Sequence, residues 1–356
     1  MIIPELPAYL TSLGGEDYKG LIISLFTLTA GLSRPFSGKL ADKIGRIPVM
    51  VFGASISFMV SLMYPFITSV AGFLFLRFAH GFSTGFTPTG TSAYVADLVP
   101  FNRRGEALGL QSLFGSLGMA AGPAFGGYIG SIWGITPLFY VASFTALLSI
   151  LVLIGLKETL SDKEKIKPSH FKLKRHEIIE KRVLLPSTVL FMIMIPFGIV
   201  FTIIPDFSAY LGIQNKGVFF AVFTLASLGI RILAGRASDK YGRIPVMKVA
   251  SFFMIVAMLI ISLADSSFVL LVGAVIFGCS IGMNSPTITA WTIDLSLEAF
   301  RGRALATMYI ALEAGIGIGA LLSGIIYANQ VQNFFVVFML GACSAFVGMV
   351  LLWFKK

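Results

Sequence analysis

Long apolar runs separated by short polar breaks restrict the fold of this sequence more than any other feature. A helix needs about 20 predominantly apolar residues to cross a bilayer. Eleven stretches of the chain meet that requirement, at residues 20–37, 48–67, 71–96, 105–130, 136–156, 185–211, 217–235, 246–264, 267–293, 303–327 and 333–354. Only 12% of the 356 residues are charged and 56% are hydrophobic. A chain with so few charged residues cannot cover the surface of a water-soluble protein of this size. We therefore predict an all-α polytopic membrane protein and exclude a soluble enzyme.

The breaks between the apolar runs alternate sharply in their content of Lys and Arg. One set of breaks holds 22 of the 27 basic residues, whereas the opposite set holds only Lys19 and Lys216. Basic loops stay on the cytoplasmic side of a membrane. The net charge of +10 is then explained by topology and by attraction to anionic lipid, with no nucleic-acid partner. We expect a multi-pass protein of a prokaryotic cytoplasmic (inner) membrane.

One long polar stretch divides the chain into two hydrophobic halves. We predict a transmembrane bundle of helices 1–6 over residues 1–156, a solvated cytoplasmic linker over 157–183, and a bundle of helices 7–12 over 184–356.

The two halves are an internal repeat. The segment that begins at Phe26, FTLTAGLSRPFSGKLADKIGRIPVM, matches the one that begins at Phe223, FTLASLGIRILAGRASDKYGRIPVM, at an offset of 197 (223 − 26). The offset preserves charged positions, among them Arg34 with Arg231. Two parallel six-helix units related by a pseudo-two-fold axis along the membrane normal are therefore predicted.

The repeat also predicts an incomplete first helix. Residues 2–10, IIPELPAYL, resemble residues 203–211, IIPDFSAYL, but only the second copy follows about 18 apolar or small residues. We expect the first helix to lack its cytoplasmic half. A misassigned start codon, a fragment and a real truncation are all consistent with this pattern.

A loop motif carries a family resemblance. The break after the second span reads GKLADKIGR from Gly38 to Arg46, and its repeat reads GRASDKYGR from Gly235 to Arg243. This motif resembles the signature loop of the major facilitator superfamily, G-x-L-A-D-[RK]-x-G-R. The resemblance implies that family's fold of two six-helix bundles, transport by alternating access, a small-molecule substrate, and neither an enzymatic activity nor a cofactor.

The resemblance also assigns a cytoplasmic latch to these loops. Arg46 would pair with Asp97 while Asp42 faces the start of span eleven near Gly302, where a helix dipole favours an anion. The second copy would repeat this arrangement near Gly105. The predicted latch residues are Asp42, Arg46, Asp97, Asp239, Arg243 and Asp294.

Two further motifs indicate coupling to protons. Arg77 and Gly81 in span four resemble a family motif in which the arginine takes part in proton coupling, and His80 would share its face; a structural ion pair is the alternative. Span five resembles the motif of drug–proton antiporters, g-x8-G-x3-G-P-x2-G-G, although generic helix packing would use similar residues. The matching positions are Gly118, Gly122, Pro123, Gly126 and Gly127.

Three carboxylates in or near the spans complete the candidates for a proton site. Glu5 and Asp206 follow the Ile-Pro pairs of spans one and seven, and Glu313 lies within span eleven without an obvious partner. A carboxyl in a low-dielectric site takes up a proton more readily than one in water. We expect the cavity to be lined by residues chosen from span position, namely Phe82, Phe86, Tyr94, Gln111, Asn284 and Trp291. No metal site is predicted.

The favoured function is proton-driven efflux of small amphipathic molecules by a monomer that contacts membrane lipid. In this mechanism a carboxyl near Arg77 takes up the proton and changes which state is favoured. One alternative is a proton-coupled uptake symporter for a sugar, organic acid or other metabolite. Another is a non-transporting membrane sensor or inactive paralogue.

Overall fold

The computed structural model describes residues 1–100, 104–160, 163–167, 170, 172, 179–297 and 301–353. Within them the chain forms one short α-helix and eleven α-helices of 18–30 residues. The helices are α1 (Leu6–Ser12), α2 (Lys19–Ile44), α3 (Arg46–Met63), α4 (Val70–Leu98), α5 (Arg104–Trp133), α6 (Ile135–Ile154), α7 (Leu184–Tyr210), α8 (Val218–Tyr241), α9 (Arg243–Ser262), α10 (Ser267–Leu295), α11 (Arg301–Tyr327) and α12 (Phe334–Leu351).

The eleven predicted spans each overlap one of the long helices. By length and composition alone, seven helices in the described residues can cross a membrane, or eight if the bent α8 counts as one span. The other three are α2, α4 and α5. Arg34 in α2 and Arg77 in α4 lower the hydropathy of those helices, and α5 is rich in glycine. Polar residues inside a span are costly in lipid, and proteins keep them where they serve a function.

The packing of the helices follows the repeat. In the first half α2 packs on α4, α3 on α4 and α3 on α6, and in the second half α8 packs on α10, α9 on α10 and α9 on α12. Between the halves, α2 contacts α11 and α5 contacts α8. These two crossings are equivalent under the offset, as a pseudo-two-fold axis requires. The division at residues 157–183 stays a prediction, and the flanking helices end at Ile154 and begin at Leu184.

The first helix is short, as the repeat predicts. The helix α1 has 7 residues, whereas its equivalent α7 has 27. On α11, Gly315 packs against the backbone of α7, but a Cβ on its equivalent Gly118 would meet nothing within 4 Å. A cavity of about 340 Å³ lies next to the first three residues of the chain and is otherwise lined by α2, α3, α4 and α6.

Candidate functional site: latches and buried ion pairs

The two signature loops are built on glycines with unusual backbone angles. Gly45 joins α2 to α3 with a φ of 120°, and Gly242 joins α8 to α9 with a φ of 91°. Positive φ at these ψ values is accessible in practice only to glycine. Each glycine therefore permits an abrupt turn, which places the following arginine at the first position of the next helix.

The first signature loop makes the expected pair of Arg46 with Asp97 and also pairs Arg46 with Asp42, which was not expected. Nη1 of Arg46 lies 2.8 Å from Oδ1 of Asp42, and its Nε lies 3.1 Å from Oδ2 of Asp97. The arginine therefore joins the end of α2 to the end of α4. These contacts lie within the first half.

The second signature loop repeats the arrangement. Nη1 of Arg243 lies 2.5 Å from Oδ1 of Asp239, and its Nε lies 2.9 Å from Oδ2 of Asp294. The expected approach of Asp42 to Gly302 and of Asp239 to Gly105 involves helix starts whose side-chain surroundings lie outside the described residues. The role of the six residues as a conformational latch stays a prediction.

Sequence reasoning missed a residue at the first latch, Glu158. Its carboxylate oxygens accept hydrogen bonds from the backbone N–H groups of Arg46 and Ile47, each with an N···O distance of 3.0 Å. It thereby satisfies two donors that the start of α3 leaves without helical partners. Burial raises the pKa of Glu158, but bonds from four backbone N–H groups outweigh that effect and lower it. The sequence offered one signal for this residue, because Glu158 follows α6 at a position where the second copy of the repeat has Lys355.

The described parts of the linker bind both halves. Near its start, Thr159 donates to Oδ2 of Asp97 at 2.8 Å, and Glu164 pairs with Lys43 at 2.8 Å. At its far end, Glu180 pairs with Arg303 of α11 at 2.6 Å. The polar composition that predicted exposure also supplies side chains for these ion pairs.

Glu313, for which the sequence offers no partner, forms an ion pair between the two halves. Its Oε1 lies 2.6 Å from Nη2 of Arg34 on α2, and the Arg34 guanidinium lies 4.6 Å from the centre of the Tyr309 ring. The Glu313 side chain is only 5% exposed. The repeat-equivalent Arg231 instead bonds Oγ of Ser116 at 2.9 Å. Only one of the two equivalent crossings therefore contains a carboxylate at this position.

The proton-carrying carboxyl was expected near Arg77, but the ion pair of Glu313 is with Arg34. Arg77 donates to the carbonyl of Ile22 at 2.8 Å, contacts the Tyr64 hydroxyl at 3.4 Å, and makes no ion pair with a described residue. Arg77 and His80 both line the 340 Å³ cavity. The two residues therefore lie together inside the first half, while the Glu313 ion pair lies between the halves.

Glu5 and Asp206, expected near the outer mouth, are both paired with lysines of the opposite half. Oε2 of Glu5 lies 3.2 Å from Nζ of Lys216, and Oδ2 of Asp206 lies 2.5 Å from Nζ of Lys19. All four side chains are at most one-fifth exposed. These carboxylates are therefore charge partners at the outer ends of the helices.

Three glycines of the span-five motif let other parts of the chain pack closely on α5. Gly122 and Gly126 face the start of the chain, and Gly127 faces the second half. A Cβ on Gly122 would lie 3.2 Å from the amino nitrogen of Met1, and Gly126 also packs against Met1. A Cβ on Gly127 would lie 2.8 Å from the backbone nitrogen of Gly217. Pro123 lies within α5 and contacts Gly217 through its carbonyl.

The six residues chosen as cavity lining do not line the 340 Å³ cavity. Phe86 belongs to a small apolar cluster with Phe82 against it, and the Tyr94 hydroxyl donates to the carbonyl of Lys157. Gln111 bonds Ser92 on α4 at 3.1 Å. The other two, Asn284 and Trp291, are buried in α10.

These contacts define a site made of charges placed at three depths. Ion pairs lie at the outer ends of the halves, within the membrane at Arg34, and in the cytoplasmic loops. No group of three His, Cys, Asp or Glu side chains in the described residues is arranged to hold a metal ion. The chemistry available is therefore the making and breaking of charge contacts that bias one arrangement of the halves over another.

Comparison with known families agrees with the fold and the loops. The profile of the Major Facilitator Superfamily matches residues 1–264 and 187–356. The chain belongs to this superfamily. It is accordingly a multi-pass inner-membrane transporter of small molecules and not an enzyme.

Several curated relatives are similar over nearly the whole chain. The multi-drug resistance efflux pump PmrA of Streptococcus pneumoniae is 28% identical over 97% of this chain and 89% of its own length. The uncharacterized MFS-type transporter YuxJ of Bacillus subtilis is 31% identical over 100% of this chain and 94% of its own length. The multidrug resistance protein MdtG of Escherichia fergusonii is 25% identical over 99% and 89%.

Solved structures support the same fold. A D-xylose-proton symporter superposes with a TM-score of 0.80 at 16% identity, covering 99% of this chain and 93% of that one. The human organic anion transporter MFSD10 has a TM-score of 0.73 at 20% identity, covering 98% and 89%. At these identities the likeness shows the fold alone.

Proposed function

We propose that this protein exports small amphipathic molecules in exchange for protons, as a monomer working by alternating access. The observation that carries the proposal is the ion pair between Arg34 and Glu313, a buried carboxylate held between the two halves at 2.6 Å from a guanidinium. The span-five motif and the names of the efflux relatives support export as the direction.

Protonation of Glu313 would remove the charge that holds Arg34. A buried ion pair is strongly favourable only while both charges are present and well placed. Neutral Glu313 would leave α2 and α11 with less attraction across the interface, so the equilibrium would shift towards a state in which these helices separate. Arg77 and His80, which lie away from this interface, would affect coupling through the packing of the first half.

Flux in proteoliposomes tests the proposal directly. With a fluorescent amphipathic dye and an internal pH indicator, an imposed proton gradient should drive dye and protons in opposite directions. Movement of both in the same direction would identify a symporter. The absence of flux would support the non-transporting alternative.

Glu313→Gln is the first variant to measure, since it mimics permanent protonation with little change of shape. We expect it to abolish gradient-driven export while downhill dye exchange and helical content remain. Asp265→Asn is the matched control, because it neutralises an exposed carboxylate in the outer loop between α9 and α10. Gradient-driven export that survives in Glu313→Gln would remove Glu313 from the coupling mechanism.

A proton-coupled uptake symporter for an acidic solute is the second candidate. The predicted spans contain three arginines, Arg34, Arg77 and Arg231. Glu313 is the carboxylate that the sequence places farthest from the ends of a predicted span. An excess of positive charge in a low-dielectric region favours an anionic ligand. Uptake of an organic acid together with protons in the same proteoliposomes would support this candidate over export.

A further inference from the structure

The only two lysines of the predicted outer loops both bind acids of the opposite half. Nζ of Lys19, at the start of α2, lies 2.5 Å from Oδ2 of Asp206 on α7. Nζ of Lys216, just before α8, lies 3.2 Å from Oε2 of Glu5 beside α1. Their side chains are 11–20% exposed, so the charges are largely withdrawn from water and weakly screened by salt.

The two ion pairs are copies of one another under the internal repeat. Lys19 and Lys216 are separated by the same offset of 197 (216 − 19) that relates the signature loops, and Glu5 and Asp206 both follow an Ile-Pro pair. Each half therefore contributes one lysine and one acid, and each lysine reaches the acid of the other half. Such reciprocity is the signature of an interface that a two-fold axis generates.

A close backbone contact accompanies each ion pair and obeys the same symmetry. The residue after Lys19 is Gly20, and a Cβ there would lie 3.1 Å from Cα of Gly324 on α11. The residue after Lys216 is Gly217, whose backbone nitrogen lies 2.8 Å from the position of a Cβ on Gly127 of α5. Gly324 and Gly127 are again 197 residues apart. The outer ends of the halves thus meet through two ion pairs and two glycine contacts.

We propose that Lys19, Asp206, Lys216 and Glu5 form an outer gate that holds the halves together in the state closed to the outside. Opening to the outside moves the outer ends of the halves apart, and both ion pairs must then break. The gate acts on the alternating-access step itself. It rests on the membership of the superfamily and does not require that the transported partner be a proton.

The gate differs from the cytoplasmic latch in what it joins. The pairs of Arg46 with Asp97 and of Arg243 with Asp294 each lie inside one half, so they brace the ends of helices. The outer pairs cross between the halves, and separation of the halves stretches them directly. Loss of the outer pairs should therefore change the population of outward-open molecules, while loss of a bracing pair changes the shape of one half.

Distance measurements between the halves test the gate. Spin labels at Asp17 and Gln332, which are exposed outer positions of opposite halves, would be attached after both native cysteines are replaced, and the protein would be reconstituted without a gradient. The test variant carries both Lys19→Met and Lys216→Met. We expect the ratio of the long-distance to the short-distance population to rise about tenfold for each ion pair lost, equivalent to ~1.4 kcal/mol per pair.

A charge exchange distinguishes the ion pair from a merely local disturbance. Lys19→Asp alone should open the outer side, and Lys19→Asp combined with Asp206→Lys should restore the short distance. Asp265→Asn removes an outer charge that belongs to neither pair, so it should leave the distances unchanged. An unchanged distance distribution in the double lysine variant, or no restoration on charge exchange, would overturn the gate.

The readout separates this proposal from the proposed function. Distances change with the gate even if no dye or proton moves, whereas flux in the Glu313→Gln variant reports coupling. A shifted distance distribution together with absent proton exchange would keep the gate and reject antiport. Intact antiport in a lysine variant with unshifted distances would reject the gate and keep antiport.

Discussion

Arg34 and Arg231 show how one residue pair can make two similar halves unequal. Both arginines occupy the same place in the repeat and both reach across the interface between the halves. Arg34 meets Glu313, whereas Arg231 bonds Ser116, and Glu313 and Ser116 are themselves equivalent at an offset of 197 (313 − 116). A difference of one side chain therefore gives the α2–α11 crossing a titratable group at a position where the α5–α8 crossing has a hydroxyl.

Gly45→Ala should destabilise the protein through backbone strain. At a φ of 120° an alanine is strained, and its Cβ would also collide with the Glu158 carboxylate. We expect a cost of about 1–3 kcal/mol, measured as a lower thermal unfolding midpoint in detergent. Gly38→Ala, seven residues earlier inside α2, has open space around its Cβ and should be neutral. Equal melting of the two variants would contradict this explanation of the loop.

At the scale of elements, the linker acts as a cap for a membrane helix. Glu158 satisfies two N–H groups at the start of α3, and the hydroxyl of Thr159 binds the latch residue Asp97. A helix start also carries partial positive charge, which favours a carboxylate there. Movement of the linker start and rearrangement of the first latch are therefore coupled by direct contacts.

The Glu158 cap should give stability a defined dependence on pH. Its pKa lies below the ordinary 4.5, so its stabilising effect is fully present above about pH 4.5 and is lost as the pH falls through the lower folded value. The thermal unfolding midpoint of Glu158→Gln should therefore lie below that of the wild type at neutral pH. The gap should close as the pH is lowered below 4.5 and through the folded pKa of Glu158. Glu16→Gln, at an exposed outer position, should show no such gap, and a gap for Glu158→Gln that is independent of pH would count against the cap.

At the scale of the whole molecule, the contacts between the halves are ordered by depth. The outer ends meet through two symmetry-related ion pairs, and the interior meets through Arg34 and Glu313. On the cytoplasmic side the latch pairs stay within their halves, while described parts of the linker bind α2, α3 and α11. Movement of a whole half therefore changes the contacts at all three depths together.

Asp42→Asn should slow the transport cycle without changing what is transported. The Asp42 side chain is 73% exposed, so loss of its pair with Arg46 has little effect on folding. We expect export of amphipathic dyes to slow about three- to tenfold, equivalent to ~0.7–1.4 kcal/mol in a barrier. The repeat-equivalent Asp239→Asn should behave alike. Initial rates for several dyes check this, and an altered ratio between dyes would contradict a role confined to the latch.

Much of the architecture could be predicted from sequence because lipid imposes a simple rule on each segment. Apolar length located the eleven long helices, and the charged positions that recur at a fixed offset gave the two-fold plan. The pairing of Arg46 with Asp97 was implied by the resemblance of the signature loop to the family's motif. The partner of Glu313 could not be predicted, because Arg34 lies 279 residues away and no periodicity relates two helices that meet across an interface. The linker contacts were missed for a similar reason, since polar composition predicts exposure and not which ion pairs form.

The sequence by itself determined the solvent of this protein, the sidedness of its loops and the equivalence of its halves. Those properties follow from apolar length, basic charge and repetition, which are local or additive along the chain. The tertiary structure alone decided which charges meet. Lys19 and Lys216 mark the outer side in the sequence, but only folding brings each to an acid of the opposite half. Pairing depends on distances between side chains remote in sequence, and the packing of the two halves sets those distances.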